Sequence, residues 1–158
     1  MPDLSFVIEQ ARPKHVRDIV TLYKNVWSEV ANLLGPTLTR HRQASIRTIA
    51  QWIHDYPYFV ALSDKQVIGI AGAEPRHGTI HLVHMVVDSR YRKHGVGAAL
   101  VKHIENFAQE INANKVWFDT HPELYDAIRL YEKLGYYKCG FFKQHYWGID
   151  IVLYEKLL

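Results

Sequence analysis

The fold of this chain is decided by the stretch Thr79–Ile111, which reads TIHLVHMVVDSRYRKHGVGAALVKHIENFAQEI. Its apolar opening, Ile80–Val87, predicts a buried strand. The polar and basic segment Asp88–His94 follows, and Gly95-Val96-Gly97 leads into a second pattern. Apolar residues at positions 100, 101, 104, 107, 108 and 111 then follow one face of a helix. The stretch therefore predicts a strand, a basic glycine-containing loop and an amphipathic helix.

The junction between loop and helix has the chemistry of an anion site. The first N–H groups of a helix have no partner within the helix, and the helix dipole favours negative charge beside them. Glycines at 95 and 97 allow a ligand to approach the backbone, and Arg90, Arg92 and Lys93 add positive charge. This loop predicts a site for a pyrophosphate or another dense anion. The alternative is an ordinary turn between strand and helix whose cations are solvated.

Two common nucleotide motifs do not fit the loop. A dinucleotide-binding fingerprint needs a Gly or Ala three residues after the second glycine, where this chain has Leu100. A P-loop needs Gly-Lys-Ser/Thr, and Gly97 is followed by Ala98. Neither nucleotide motif fits this loop.

Two segments instead resemble a known family. Val86–Leu100 is similar to the acyl-CoA-binding motif of the GCN5-related N-acetyltransferase (GNAT) family, whose signature Gln/Arg-x-x-Gly-x-Gly/Ala is matched by Arg92, Gly95 and Gly97. Ala127–Tyr136 resembles the second motif of that family, and the two motifs occur in the family's order. The resemblance covers nearly the whole chain. It implies an α/β fold with a mixed, mostly antiparallel sheet of about seven strands flanked by about four helices.

The remaining patterns fit one domain over residues 1–158. Strands are predicted at 5–10, 58–62, 67–73, 115–120, 136–142 and 149–155. Glu74 is expected to end one strand, with a turn over 75–78. Helices are predicted from Val16 to a break at Gly35-Pro36, over about 40–54, and from Pro122 to a cap at Gly135.

Composition limits the classes of function. A net charge of +3 is too small to indicate nucleic acid as a partner. Ten histidines are present, but His81 and His84 are expected on opposite faces of a strand, and no metal site is predicted. A single cysteine excludes an intramolecular disulfide and is typical of a reducing compartment. Residues Met1–Ser5 lack a signal-peptide pattern and no apolar run could span a membrane, so we expect a cytoplasmic protein.

The resemblance implies acetyl-CoA as the cosubstrate. Backbone groups of Met85 and Val87 would pair with its pantetheine arm, and N–H groups from Lys93 to Ala98 would hold its pyrophosphate. The N–H of Val87 would polarise the thioester carbonyl. The cofactor-binding residues implied in this way are Met85, Val86, Val87, Arg92, Lys93, His94, Gly95, Val96, Gly97 and Ala98.

The resemblance also implies how protons move. Tyr131 corresponds to the residue that protonates the departing thiolate, and a phenol keeps its proton at neutral pH. The alternative for Tyr131 is a packed core tyrosine. His81 or Asp119 is expected to accept the proton of the amine, and Glu74 is a third candidate. For each of these three, a solvated or structural role is the alternative.

Some features remain open. The family commonly has Asn where this chain has Leu124, so a contact to the cofactor arm is either missing or replaced by Thr120 or His121. Cys139 has no evident activating partner for a role as nucleophile. Aromatic residues are expected near the acceptor or in the core: Tyr23, Trp27, Trp52, Tyr125, Tyr146 and Trp147. The acceptor could be a small amine, a polyamine, an amino acid or a protein N-terminus.

Two further functions are alternatives. A non-catalytic CoA-binding domain could use the same fold, although the presence of Tyr131 favours catalysis. A nucleic-acid-binding module could use Arg90, Arg92 and Lys93, which the low net charge disfavours. The sequence also leaves a homodimer possible, because the last strands pair between subunits in similar proteins.

Overall fold

The computed structural model describes residues 3–158. Met1 and Pro2, the first two residues of the segment Met1–Ser5 in which no signal peptide is expected, lie outside the described residues. The strands are β1 (Val7–Gln10), β2 (Tyr58–Ser63), β3 (Gln66–Arg76), β4 (Thr79–Val87), β5 (Lys115–Thr120), β6 (Tyr137–Tyr146) and β7 (Ile149–Leu157). The helices are α1 (Val16–Leu34), α2 (Pro36–His41), α3 (Ile46–Asp55), α4 (Val96–Glu110) and α5 (Tyr125–Lys133). None of the helices in this described part of the chain combines the length and apolar character needed to span a bilayer.

All seven strands form one sheet in the order β1-β2-β3-β4-β5-β7-β6. Every neighbouring pair is antiparallel except β4 and β5, which α4 connects. The predicted mixed sheet is therefore confirmed. The parallel pair has a short register, Ile80 with Val116 and His81 with Trp117. Within the described residues β4 has no other partner in β5, so a gap separates the two strands beyond His81.

The sheet separates two apolar cores. Helix α4 buries Leu100, Val101, Ile104 and Ala108 against one face, as its spacing predicts. Helices α1 and α3 cover the other face, where Ile19, Tyr23 and Ile49 are almost completely buried. The strand β4 contributes to both cores because its side chains alternate between the two faces.

Three predicted boundaries are wrong for local reasons. The helix expected over 40–54 is two helices, because the hydroxyl of Ser45 accepts a hydrogen bond from the Thr48 N–H and starts α3 anew. Strand β3 does not end at Glu74; Pro75 pairs with Ile80 near the end of the hairpin. Helix α5 begins at Tyr125 rather than Pro122, because the Leu124 N–H donates to the His121 carbonyl in a preceding turn.

A β-bulge interrupts β4. Gly72 pairs with Val83 and Ile70 pairs with Val86, so His84 and Met85 together oppose Ala71. His84 has a φ of 53°, in the left-handed region. The extra residue places His84 on the same face of the sheet as Val83, among side chains of α1 and α3. The expectation that His81 and His84 point to opposite faces is therefore wrong.

Candidate active site

The N-terminus of α4 is open to a ligand. Its first helical hydrogen bond joins the Ala99 N–H to the Gly95 carbonyl at 3.0 Å, and no side chain among residues 3–158 caps the preceding amides. Lys93 and Gly95 have φ values of 64° and 83°. Left-handed residues in such a turn direct consecutive N–H groups toward one point, which is the geometry of a backbone anion site. The predicted loop thus has uncapped amides at the expected position.

Gly97 brings this helix end against the neighbouring elements. A Cβ atom at Gly97 would lie 2.8 Å from Cδ2 of Leu130 and 3.4 Å from Cε of Met85. A side chain larger than hydrogen fits there only if the Leu130 side chain moves. The second motif glycine therefore allows α4 to pack closely beside β4, next to the gap between β4 and β5.

Two of the three loop arginine and lysine side chains are already engaged. Arg90 forms an ion pair with Asp88 at 2.7 Å, and this hydrogen bond lowers the pKa of Asp88. Arg92 lies 3.3 Å from the carboxylate of Glu29 and donates through Nε to the Val87 carbonyl at 3.1 Å. Lys93 makes no ion pair with any described residue. The cation most available to a phosphate is therefore Lys93.

The edge of β4 that faces the gap presents backbone donors. The Asp88 N–H donates to the Ile68 carbonyl of β3 at 2.9 Å. Because successive strand residues direct their N–H groups to opposite edges, those of Met85 and Val87 face away from β3 and into the gap. The Val87 carbonyl is used by Arg92, which leaves its N–H as the group available at that position.

Tyr131 reaches the same gap from α5. Its hydroxyl donates to Sδ of Met85 at 3.5 Å, and its ring packs on Phe118 with centroids 3.9 Å apart. Burial raises the pKa of Tyr131 above its usual value, so the phenol remains protonated. The ring is part of the core, as the packing alternative expects, and the hydroxyl is directed at Met85 on β4.

The three candidate bases lie together on the other face. His81 Nε2 is 2.9 Å from Asp119 Oδ1, and His81 Nδ1 is 3.5 Å from Glu74 Oε2. The imidazole stacks on Trp117 with centroids 4.0 Å apart. Burial opposes ionisation of Asp119, but the hydrogen bond and charge of His81 outweigh it, and the pKa of Asp119 is lowered. The imidazole is therefore held between two carboxylates.

His84 is a partly buried neighbour that the sequence did not single out as part of the site. Its Nδ1 accepts a hydrogen bond from the Tyr58 hydroxyl, and its ring stacks on Trp52 with centroids 3.7 Å apart. Burial, followed by the charges of Arg42 and His81, lowers the pKa of His84 to about 3. The ring is consequently neutral at physiological pH.

Arg42 is the second residue that sequence reasoning missed. Its guanidinium carbon lies 5.5 Å from the Trp27 ring centroid, 5.5 Å from that of Tyr146 and 5.8 Å from that of Trp147. These aromatic residues come from distant parts of the chain, so no local pattern indicates the cluster. Among the six aromatic residues that were expected near the acceptor or in the core, Tyr125 lies away from the others, and 65% of its surface is exposed.

Comparisons with known proteins identify the family that has this fold. Residues 27–136 match the family model described as the acetyltransferase (GNAT) family. The chain belongs to the GNAT family. It is 34% identical over 89 residues to N-acetyltransferase 8 of Homo sapiens, covering 52% of this chain and 39% of that protein. N-acetylaspartate synthetase of Rattus norvegicus is 36% identical over 104 residues, covering 63% of this chain and 34% of the relative.

A solved structure shows how far the GNAT fold extends. The PaiA N-acetyltransferase of Thermoplasma acidophilum, determined in complex with coenzyme A, superimposes with a TM-score of 0.85 at 15% identity. The match covers 98% of this chain and 99% of that one. The fold therefore covers nearly the whole chain, which nevertheless spans less than half the length of the two relatives above.

The remaining candidate residues take no part in this arrangement. His121 is buried, and its Nδ1 donates to the Asp150 carbonyl at 3.0 Å, so it is fixed to β7. Desolvation and the charge of Glu155 raise the pKa of Cys139, which disfavours a nucleophilic thiolate. No group of three potential ligands among the described residues is placed to hold a metal ion.

Proposed function

We propose that this chain transfers an acetyl group from acetyl-CoA to a primary amine by direct attack within a ternary complex. The observation that carries the proposal is the uncapped N-terminus of α4, which lies beside the gap in the sheet. A pyrophosphate is the natural ligand for such amides. Membership of the GNAT family and the fold shared with a coenzyme A complex support the same cosubstrate.

The donor side is assigned to one group of residues. The N–H groups from Lys93 to Ala98 bind the pyrophosphate, with Lys93 and Arg92 supplying charge. The N–H groups of Met85 and Val87 bind the acyl-bearing arm as an added strand would be bound. This set comprises Met85, Val86, Val87, Arg92, Lys93, His94, Gly95, Val96, Gly97 and Ala98.

The proton steps divide between the two faces of β4. The amine nitrogen forms a bond to the thioester carbonyl carbon, and the Val87 N–H stabilises the negative oxygen that results. His81, flanked by Asp119 and Glu74, accepts the proton that the nitrogen loses. The carbon–sulfur bond breaks, and Tyr131 donates its proton to the sulfur, which leaves as a thiol. His81 then releases its proton to solvent, and the phenolate of Tyr131 takes one up from solvent, which restores both groups.

A non-catalytic CoA-binding domain remains the second candidate function. It would need the uncapped amides and the gap, but it would not need a protonated phenol beside them. The position of the Tyr131 hydroxyl therefore favours the enzyme.

The cellular setting is also part of the proposal. A single, exposed cysteine is consistent with the reducing cytoplasm. The acceptor is a small molecule or a peptide, with no role for nucleic acid or a membrane. A homodimer is consistent with β6, an edge strand with Phe141 and Phe142 exposed, which a second copy could cover.

A panel of amines incubated with acetyl-CoA tests the function, with free thiol release as the readout. We expect thiol release that depends on both enzyme and amine. Calorimetric titration with acetyl-CoA serves as the companion measurement. Binding without thiol release for any amine would favour the non-catalytic domain, and no heat with acetyl-CoA would overturn the proposal.

A further inference from the structure

Arg42 occupies the acceptor face of the site without an acidic partner. It follows α2, and its guanidinium lies among the rings of Trp27, Tyr146 and Trp147. No described residue forms an ion pair or a hydrogen bond with this side chain, and its Nε atom is inaccessible to water. A buried guanidinium donor without an acceptor is unusual, because the lost hydration is not replaced.

A second unpaired donor lies beside the first. The indole Nε1 of Trp27 is also buried without a hydrogen-bond partner among the described residues. It approaches the Tyr23 hydroxyl closely enough to lower the pKa of that group, but the geometry is not that of a hydrogen bond. Burial dominates and raises the pKa of Tyr23 to about 12, so the hydroxyl cannot supply an anion there.

The charge of Arg42 acts on three titratable side chains near the proposed base. Burial lowers the pKa values of His84 and His121, and the charge of Arg42 lowers them further. Burial raises the pKa of Asp119, but His81 and, to a smaller extent, Arg42 lower it. These residues lie on β4, β5 and the turn after β5. Packed rings connect this region to the Arg42 cluster, since the Tyr23 ring centroid lies 6.2 Å from that of Trp27 and 6.1 Å from that of His84. Asp119 nevertheless forms its close ion pair with His81 and not with Arg42. Among residues 3–158, therefore, no carboxylate forms an ion pair with Arg42.

We propose that Arg42 binds a carboxylate of the acceptor, which is therefore an amino acid or another small amine with a carboxylate close to its amino group. This inference rests on the acetyl transfer proposed above. A guanidinium forms two parallel hydrogen bonds with a carboxylate, which fixes the orientation of the bound molecule. The amino group then faces the His81–Asp119 pair, and the aromatic rings around Arg42 provide an apolar wall for the rest of the acceptor.

A purely structural role for Arg42 predicts a different acceptor preference. Cation–π contacts with three rings could hold Arg42 between α2 and the hairpin of β6 and β7. Such contacts need no hydrogen-bond acceptor, and they would make the enzyme indifferent to a carboxylate on the acceptor. The two explanations can be separated with the unmodified protein, before any variant is made.

Matched acceptors provide the first test. L-phenylalanine is compared with L-phenylalaninamide and 2-phenylethylamine, and L-leucine is compared with L-leucinamide and 3-methylbutylamine. We expect kcat/KM for the preferred amino acid to exceed that of its neutral counterparts by about 30-fold or more. The amides have less basic amines, which favours their reaction, so a preference for the acid would come from binding of the carboxylate.

Variants of Arg42 provide the second test. Arg42→Met should raise KM for the amino acid by about 30-fold and remove the preference over the amide, while KM for acetyl-CoA stays within about twofold. Arg42→Lys should restore part of the preference, because an ammonium retains the charge but not the paired donors. Arg40→Met is the matched control, since Arg40 is exposed on α2, and it should behave as the parent protein.

Binding without turnover distinguishes the inference from the proposed function. Because Trp27 and Trp147 adjoin Arg42, N-acetyl-L-phenylalanine and N-acetyl-L-leucine should change tryptophan emission in the parent protein and not in Arg42→Met. Binding of these carboxylates with no turnover of any amine would overturn acetyl transfer but retain the carboxylate site. Turnover of neutral amines as fast as of amino acids would overturn the carboxylate site but retain acetyl transfer. Absence of both signals would overturn both.

Discussion

His81 Nε2 lies 2.9 Å from Asp119 Oδ1, while Nδ1 of the same ring lies 3.5 Å from Glu74 Oε2. The three residues belong to β4, β5 and β3, so the pairing of three adjacent strands sets the geometry of the proposed base. Asp119 remains ionised because its pKa is lowered, mainly by the hydrogen bond and charge of His81 against the effect of burial. A carboxylate in this position can stabilise the imidazolium that forms when His81 accepts a proton.

Asp119→Asn should weaken both activity and stability. We expect kcat to fall by about 10- to 100-fold and the free energy of unfolding at pH 7 to fall by about 1–3 kcal/mol, the range for a hydrogen bond to a charged group. A lowered folded pKa contributes stability above the unfolded pKa of about 3.9 and loses it as pH falls through the folded value. The stability difference from the parent should therefore shrink below about pH 4, as measured by urea unfolding.

Asp64→Asn is the matched control for this variant. Asp64 is exposed in the turn between β2 and β3, where its φ is 47°, a conformation that Asn also adopts. The control should keep parental activity and stability. A stability difference for Asp119→Asn that grew as the pH was lowered would contradict the proposed pairing.

Tyr131→Phe should remove catalysis without removing the fold. We expect kcat to fall by about 100-fold or more, with KM for acetyl-CoA nearly unchanged, because the ring stays in the core and only the proton donor is lost. Thiol release and calorimetric binding of acetyl-CoA measure the two effects. Tyr154→Phe is the control, since that hydroxyl contacts Glu132 away from the gap. Full activity of Tyr131→Phe would exclude the phenol as the acid.

Alanine substitutions at the two motif glycines should lower the free energy of unfolding for different reasons. Gly97→Ala places a Cβ 2.8 Å from Leu130 and should destabilise the protein by about 1–3 kcal/mol through overpacking. Gly95→Ala meets no atom within 4 Å but has a φ of 83°, which costs a non-glycine residue about 1–2 kcal/mol. Urea unfolding of each variant, alone and with Leu130→Val, measures the difference.

The Leu130→Val substitution tests whether contact with Leu130 is the reason that position 97 requires glycine. Leu130→Val removes a methylene group beside Gly97, so it should recover part of the stability lost in Gly97→Ala. It should recover none in Gly95→Ala, where strain lies in the backbone. Equal effects in the two backgrounds would show that close packing against α5 is not the reason for Gly97.

His84 should make the protein sensitive to mild acid. Its pKa is about 3 in the folded protein and 6.5 without the fold, so between these values the unfolded chain binds the additional proton. Stability contributed by the neutral ring is complete above about pH 6.5 and is lost progressively as pH falls toward 3. Between pH 7 and pH 4 the loss is on the order of 3 kcal/mol.

His84→Gln should flatten that dependence, because the amide oxygen can still accept from the Tyr58 hydroxyl but does not titrate. Urea unfolding at pH 7, 5 and 4 measures the slope, and nuclear magnetic resonance should show one imidazole that stays neutral to below pH 4. His54→Gln is the control, since His54 is exposed on α3. An unchanged slope in His84→Gln would contradict a buried, neutral ring.

The sequence predicted the parts of the fold that depend on local periodicity. The strand, loop and helix of 79–111 appear where the spacing places them, and α4 buries the expected face. Proline was misleading at both 75 and 122, because a turn and the end of a hairpin tolerate its missing N–H as readily as a helix start does. Ser45 has the side chain of an N-cap, but a continuous apolar pattern concealed the break.

The acceptor side could be predicted only in part, for a physical reason. The bulge at His84 depends on how β3 and β4 pair, and one additional residue reverses which side chains share a face. Arg42 is indistinguishable in sequence from a solvated charge, since its partners come from α1 and the end of β6. Contacts between distant segments determine both features, and single-sequence patterns contain no record of such contacts.

The division of the core by the sheet has a consequence for protein engineering. The proposed cosubstrate site lies on the α4 side of the sheet, whereas α1 and α3 lie against the opposite core around Ile19, Tyr23 and Ile49, and α2 connects them. Those three helices are consecutive in the chain, between β1 and β2. They form a contiguous segment that could be randomised to select new acceptors, provided that Glu29 of α1 is kept, because it pairs with Arg92 of the proposed cosubstrate loop.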